Sequence, residues 1–148
     1  MPTNLYGPYD TYHETYSHVI PAMILKFHQA RHQDASSVVL WGTGRPLREF
    51  LHVDDLASAC LFLIKREVPY DLINVGVGYD ISIQELSEKI AKIVGYTGKI
   101  EFDPSHPDGT PKKLLDISRL QNLGWSASID LTQGLQETYQ NFLQGKAR

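Results

Sequence analysis

Apolar and polar positions along this chain switch repeatedly between the spacing of a helix and that of a strand, and the switches mark its elements. Ile20, Met23, Ile24 and Phe27 fall on one helical face, which predicts a helix from about His18, with Ser17 as N-cap and Pro21 tolerated in the first turn. Ser36-Ser37-Val38-Val39-Leu40 reads as a buried strand running into Trp41. Asp54-Asp55, whose carboxylates complement the positive end of a helix dipole, open a helix to Arg66 with Leu56, Ala59, Cys60, Leu63 and Ile64 on its apolar face. Pro69 ends it. Leu72-Ile73-Asn74-Val75-Gly76 then predicts a buried strand, and Gly76 and Gly78 a turn.

Ser82-Ile83-Gln84-Glu85 has the form of a capping box, opening a helix that carries Ile83, Leu86, Ile90, Ile93 and Val94 to a stop at Gly95. Lys99-Ile100-Glu101-Phe102 alternates as a strand, Asp116 caps a short helix through Leu120 and Leu123, and Asp130 to Leu143 forms a last helix on Leu131, Leu135, Tyr139 and Phe142. The chain begins with an extended segment, Pro2-Thr3-Asn4-Leu5-Tyr6-Gly7-Pro8, that ends in a Gly-Pro turn. Alternation of helices and strands places the chain in the α/β class.

Composition narrows the function classes. A chain of 148 residues forms a single domain with room for a sizeable core. A net charge of -3 with scattered basic residues gives no electrostatic footprint for nucleic acid. No apolar run approaches the roughly 20 residues of a membrane span, and the first residues lack the layout of a signal peptide, so no membrane association and a cytoplasmic location are expected. The one cysteine, Cys60, has no internal disulfide partner and is expected as an inert core thiol. No metal-spaced cluster of Cys and His occurs.

Candidate chemistry concentrates in three places. Trp41 precedes a Gly42-Thr43-Gly44 turn, and Arg45 and Arg48 bracket Pro46 just beyond it. An indole offers a flat face for stacking and guanidinium forks suit phosphate oxygens, so together they read as a pocket for an aromatic ring joined to phosphates. The plainer alternative, Trp41 in the core and the arginines in solvent, is the one composition favours. A second candidate is His18 at a helix start, a position where a surface histidine is commoner than a catalytic one. The third is the loop Asp103-Pro104-Ser105-His106-Pro107-Asp108-Gly109-Thr110-Pro111-Lys112-Lys113, whose prolines stiffen it enough to present Asp108 and Lys113, though an ordinary surface connection explains it as well.

These motifs, in this order and spacing, resemble the GDP-L-fucose synthases, a branch of the extended short-chain dehydrogenases/reductases. The residues that carry the resemblance are Pro2-Thr3-Asn4-Leu5-Tyr6-Gly7-Pro8, Ser17-His18-Val19-Ile20-Pro21, Trp41-Gly42-Thr43-Gly44, Arg48 to Asp55, Ile73-Asn74-Val75-Gly76 and Asp108-Gly109-Thr110-Pro111-Lys112-Lys113. The first is shared by many nucleotide-sugar epimerases and dehydratases; the second and last are more specific. The resemblance covers nearly the whole chain but matches only the carboxy-terminal half of the family, so the implied fold is the family's substrate-binding domain with a remnant of the Rossmann sheet.

The resemblance also implies roles. Pro2, Thr3, Asn4 and Leu5 would lie against the nicotinamide of NADP, and His18 would be the acid that returns a proton to a sugar carbon during epimerisation. Lys26, Trp41, Arg48 and Asp108 would contact a GDP-sugar, with Lys113 a further basic group near the diphosphate. Position 26 is often arginine in the family, so Lys26 supplies charge without a bidentate fork. The implied chemistry is proton removal beside a ketone, reprotonation on the opposite face, and reduction by NADPH. The glycine-rich fingerprint and the Tyr-x-x-x-Lys pair do not occur in this sequence, and Cys60 lies in the wrong motif to be the family's cysteine base.

The chain alone is therefore expected to bind GDP-4-keto-6-deoxy-mannose weakly and not to turn it over. Three readings remain open: the substrate-binding half of such an enzyme, one chain of a split enzyme, or a non-catalytic GDP-sugar binding or interaction module. A fragment of another nucleotide-sugar epimerase or dehydratase is a further alternative. An apolar surface that packs against an amino-terminal half, or against a second copy, is expected in the first two.

Overall fold

The structure, a computed structural model, describes residues 1–13 and 16–145. In chain order its elements are β1 (Asn4–Tyr6), α1 (Val19–His32), β2 (Ser37–Trp41), β3 (Leu47–Arg48), β4 (Phe50–His52), α2 (Val53–Ile64), β5 (Ile81–Ser82), α3 (Ile83–Val94), β6 (Lys99–Asp103), β7 (Lys112–Lys113), α4 (Ser118–Asn122) and α5 (Leu131–Leu143). The α/β class is the one the pattern predicts.

Three small sheets divide the strands. β1 and β4 pair in parallel, as do β2 and β6, while β3 lies between an antiparallel β5 and a parallel β7. The predicted strand over Leu72–Gly76 is not formed. Only Val75 bridges, to Pro2, through Thr3 N–H to Val75 O at 3.0 Å and Val75 N–H to Met1 O at 2.8 Å, and Leu72 is exposed. Apolar composition predicted a buried strand here, and the segment instead makes a single bridge.

The larger core collects one face from each of three helices. Ile20, Met23, Ile24 and Phe27 of α1 meet Leu86, Ile90 and Val94 of α3 and Leu135 and Tyr139 of α5, against Val38 and Leu40 of β2. The Ser82–Glu85 capping box is complete, and Gly95 closes α3 in the left-handed conformation that its missing Cβ permits. Asp130 caps α5 by accepting from Gln133 N–H at 2.9 Å.

Three expectations at helix ends and faces need correction. His18, not Ser17, is the N-cap of α1, because the Ser17 hydroxyl turns back to donate to Thr11 O at 2.7 Å and accepts from His13 N–H. Asp116 lies one residue before the N-cap of α4, which is Ile117, yet it still accepts from Ser118 N–H at 2.9 Å. Most consequential is α2, where only Asp55 and Ala59 are buried; Cys60 is exposed and Ile64 is 81 % exposed, so Cys60 is not a core thiol. The smaller core beneath α2 is built from Leu51, Ala59, Val75, Leu120 and Trp125, with Leu56, Phe62 and Leu63 of that helix partly buried against it.

Candidate functional site

A cleft of about 800 Å³ opens where β1, α1, β2 and the turns after them converge. That volume is the size of an ordinary small-molecule pocket. Its floor is apolar, from Ile20, Met23, Leu40 and Phe50, and its rim is polar. Packing of α1 on β2 dictates this arrangement: the buried side of α1 faces the core, so the flanking Lys26 and the N-terminal His18 are left at the cleft.

Eight of the ten residues singled out from sequence line the cleft: Thr3, Asn4, Leu5, His18, Lys26, Trp41, Arg48 and Asp108. Pro2 and Lys113 do not. Pro2 is committed to its bridge with Val75, and Lys113 lies on β7, one strand outside Arg48, with its side chain exposed. Trp41 is 58 % exposed at the end of β2, contrary to the core alternative. Lys26 Nζ donates to Val39 O at 3.2 Å and sits 5.6 Å from the centre of the Trp41 ring, within cation–π range. Arg48 Nη1 donates to Leu47 O at 2.8 Å, which anchors the guanidinium through one nitrogen.

Asp108 is held more firmly than a substrate contact needs to be. Thr43 donates to it twice, from N–H to Oδ1 and from Oγ1 to Oδ2, both at 2.6 Å. These bonds, helped by the Arg45 and Arg48 charges, hold its carboxyl below the usual range. Thr43 was not singled out from sequence, and neither was His106, whose ring stacks on Trp41 with centroids 4.5 Å apart and planes 16° from parallel. An aromatic ring between two prolines in a stiff loop was the available signal.

On the β1 side the cleft is bounded by Thr3, Asn4 and Leu5. Thr3 Oγ1 and Asn4 Nδ2 both donate to Glu49 O, at 3.2 and 2.7 Å, which fixes β1 as a flat wall. A wall suits one face of a ring. Among the described residues no glycine-rich strand-to-helix turn adjoins it.

The wall is supported by groups that sequence reading did not single out. Glu49 is fully buried, and its carboxylate accepts from Val77 N–H at 2.7 Å, Gly78 N–H at 2.8 Å and Leu115 N–H at 3.1 Å. A Cβ at Gly76 would lie 2.3 Å from Glu49 Oε1, so glycine is required for the approach. Asp55, expected as a helix-dipole partner, is 2 % exposed and accepts from Ser128 N–H and Oγ and from Ile129 N–H.

Among the described residues no group of three His, Cys, Asp or Glu could hold a metal ion, and no helix is long and apolar enough to cross a membrane. The model of the NAD dependent epimerase/dehydratase family matches residues 1–76. Over its full length the chain is 51% identical to GDP-L-fucose synthase from Escherichia coli (strain K12), covering 49% of that protein, and over 97% of its length it is 51% identical to GDP-L-fucose synthase 1 from Arabidopsis thaliana, covering 45%. Among solved structures it is similar to a GDP-L-fucose synthetase from Naegleria fowleri bound to NADP, with a TM-score of 0.87, 31% identity, and coverage of 97% of this chain and 46% of the other. The chain thus spans about half the length of the curated relatives it matches.

Proposed function

This chain belongs to the NAD dependent epimerase/dehydratase family, and from that premise we propose that its cleft is the nucleotide-sugar-binding part of an NADP-dependent epimerase/reductase of the GDP-L-fucose synthase kind. The observation that carries the proposal is convergence. Trp41, Lys26 and Arg48 come from a strand end, a helix and a separate short strand, and all reach one cleft with His18.

In this reading Trp41 receives the base, Lys26 and Arg48 neutralise the diphosphate, and the sugar extends along the floor toward His18 and β1. Lys113 raises the positive potential beside Arg48 from the next strand. Asp108 keeps unused lone pairs for a sugar or ribose hydroxyl while fastened to Thr43. His18, with no hydrogen bond from its side chain into the helix it caps, is free to deliver a proton to the sugar carbon. The substrate would be GDP-4-keto-6-deoxy-mannose. NADPH, when bound, would supply the hydride; Thr3, Asn4 and Leu5 would supply one wall for its ring.

Calorimetric titration with GDP-mannose tests the proposal. The wild-type chain is expected to bind, Arg48→Ala to weaken binding about tenfold or more, and NADPH alone to give no comparable heat. Equal binding by Arg48→Ala and wild type would remove the cleft from consideration.

A further inference from the structure

The loop at residues 103–108 has both ends fastened to the turn after Trp41. Gly42 N–H donates to Asp103 O at 2.9 Å, and Thr43 donates twice to Asp108. Within it Ser105 N–H donates to Asp103 Oδ1 at 2.9 Å and His106 N–H to Asp103 O at 3.4 Å, while Pro104 and Pro107 remove backbone freedom on either side. The arch therefore holds one side chain in place, His106, flat on the Trp41 indole.

Two facts give the stack a direction. An indole as exposed as Trp41 at a strand end is free to change rotamer unless something covers it. His106 covers one face. Yet His106 does not line the cleft, whereas Trp41, Lys26, Pro107 and Asp108 do, with the Lys26 ammonium 5.6 Å from the centre of the indole.

We propose that His106 is a positioning residue for the flat ring of the ligand, backing Trp41 from outside the cleft so that an entering nucleobase stacks on a fixed indole. This rests on the nucleotide-sugar reading and deepens it by naming the ligand part that Trp41 takes. A pre-ordered stacking surface spares the ligand the entropy of ordering it, which for one aromatic pair amounts to roughly threefold to tenfold in affinity.

The test labels the full chain with 5-fluorotryptophan, giving one fluorine resonance each for Trp41 and Trp125, assigned with Trp41→Phe, and measures GDP affinity by calorimetry. His106→Ala is expected to shift and sharpen the Trp41 resonance, leave that of Trp125 in place, and weaken GDP binding about threefold to tenfold. His106→Phe, which keeps a stacking ring, is expected to restore both. GDP binding that is unchanged in His106→Ala overturns the proposal alone. Tighter binding does so too, because it would mean that the imidazole occupies the place of the base. No GDP binding by the wild-type chain overturns the nucleotide reading and this proposal with it.

Discussion

Two groups of carboxylates, one inside the molecule and one at the cleft rim, both accept hydrogen bonds from backbone N–H groups and do opposite jobs. Glu49 and Asp55 are buried and bind N–H groups from segments 28, 66 and 73 residues away. Asp103 and Asp108 are at the surface: Asp103 accepts from Ser105 N–H within its own loop, and Asp108 accepts from Thr43, which fastens that loop to the turn beside the cleft. Burial makes the difference. An interior acceptor cannot be replaced by water, so losing it strands its donors; a rim acceptor can, so losing it frees a loop without unfolding the domain.

The sharpest way to break this comparison is Glu49→Ala. It leaves three amide donors without a partner and is expected to cost about 3–5 kcal/mol by urea unfolding. Gly76→Ala tests the same junction from the other side, because the added methyl would overlap the Glu49 carboxylate; about 2 kcal/mol is expected. A destabilisation below about 0.5 kcal/mol in either would show the buried junction to be dispensable. Ser82→Ala removes one half of the α3 capping box and should cost about 1 kcal/mol, a local effect unlike that at Glu49.

At the rim, Asp108→Asn is expected to leave the unfolding midpoint where it is while weakening GDP-mannose binding, and a lowered midpoint would place Asp108 with the interior group instead. Acid gives the smallest effect and a defined sign. The folded-state pKa of Asp108 is depressed, chiefly by the Thr43 hydroxyl, then by the Thr43 amide and the Arg45 and Arg48 charges. Its contribution is therefore present above the ordinary carboxylate pKa and is lost as pH falls through the depressed folded value. The Trp41 environment, followed by fluorine resonance, should stay constant through the normal carboxylate range and change only at lower pH.

The same contrast explains what could be read from sequence. Faces at helical spacing, such as Ile20–Phe27 on α1 and Leu86–Val94 on α3, were legible because periodicity and local capping decide them. At the rim, Trp41, Lys26 and Arg48, which the motif resemblance groups together, all line one cleft, and what they bind there is the proposal. Illegible were Glu49 and Asp55, since nothing near them in sequence announces donors at Val77, Leu115 and Ser128. The face of α2 was legible in part. Leu56, Ala59 and Leu63 pack on the smaller core at the predicted spacing, but Cys60 and Ile64 are exposed, because most positions of this helix are apolar and periodicity does not fix how wide a stripe the core takes.

The cleft as a nucleotide-sugar site is the claim on which the rest depends, and the two indoles give it an internal control. Trp41 lines the cleft, whereas Trp125 is buried in the smaller core with its N–H donating to Ser58 Oγ at 3.3 Å. In a titration with GDP-mannose followed by proton–nitrogen correlation spectra, the Trp41 indole resonance is predicted to move in a saturable way while that of Trp125 stays fixed. Saturation with no movement at Trp41, or with equal movement at both, would contradict the account.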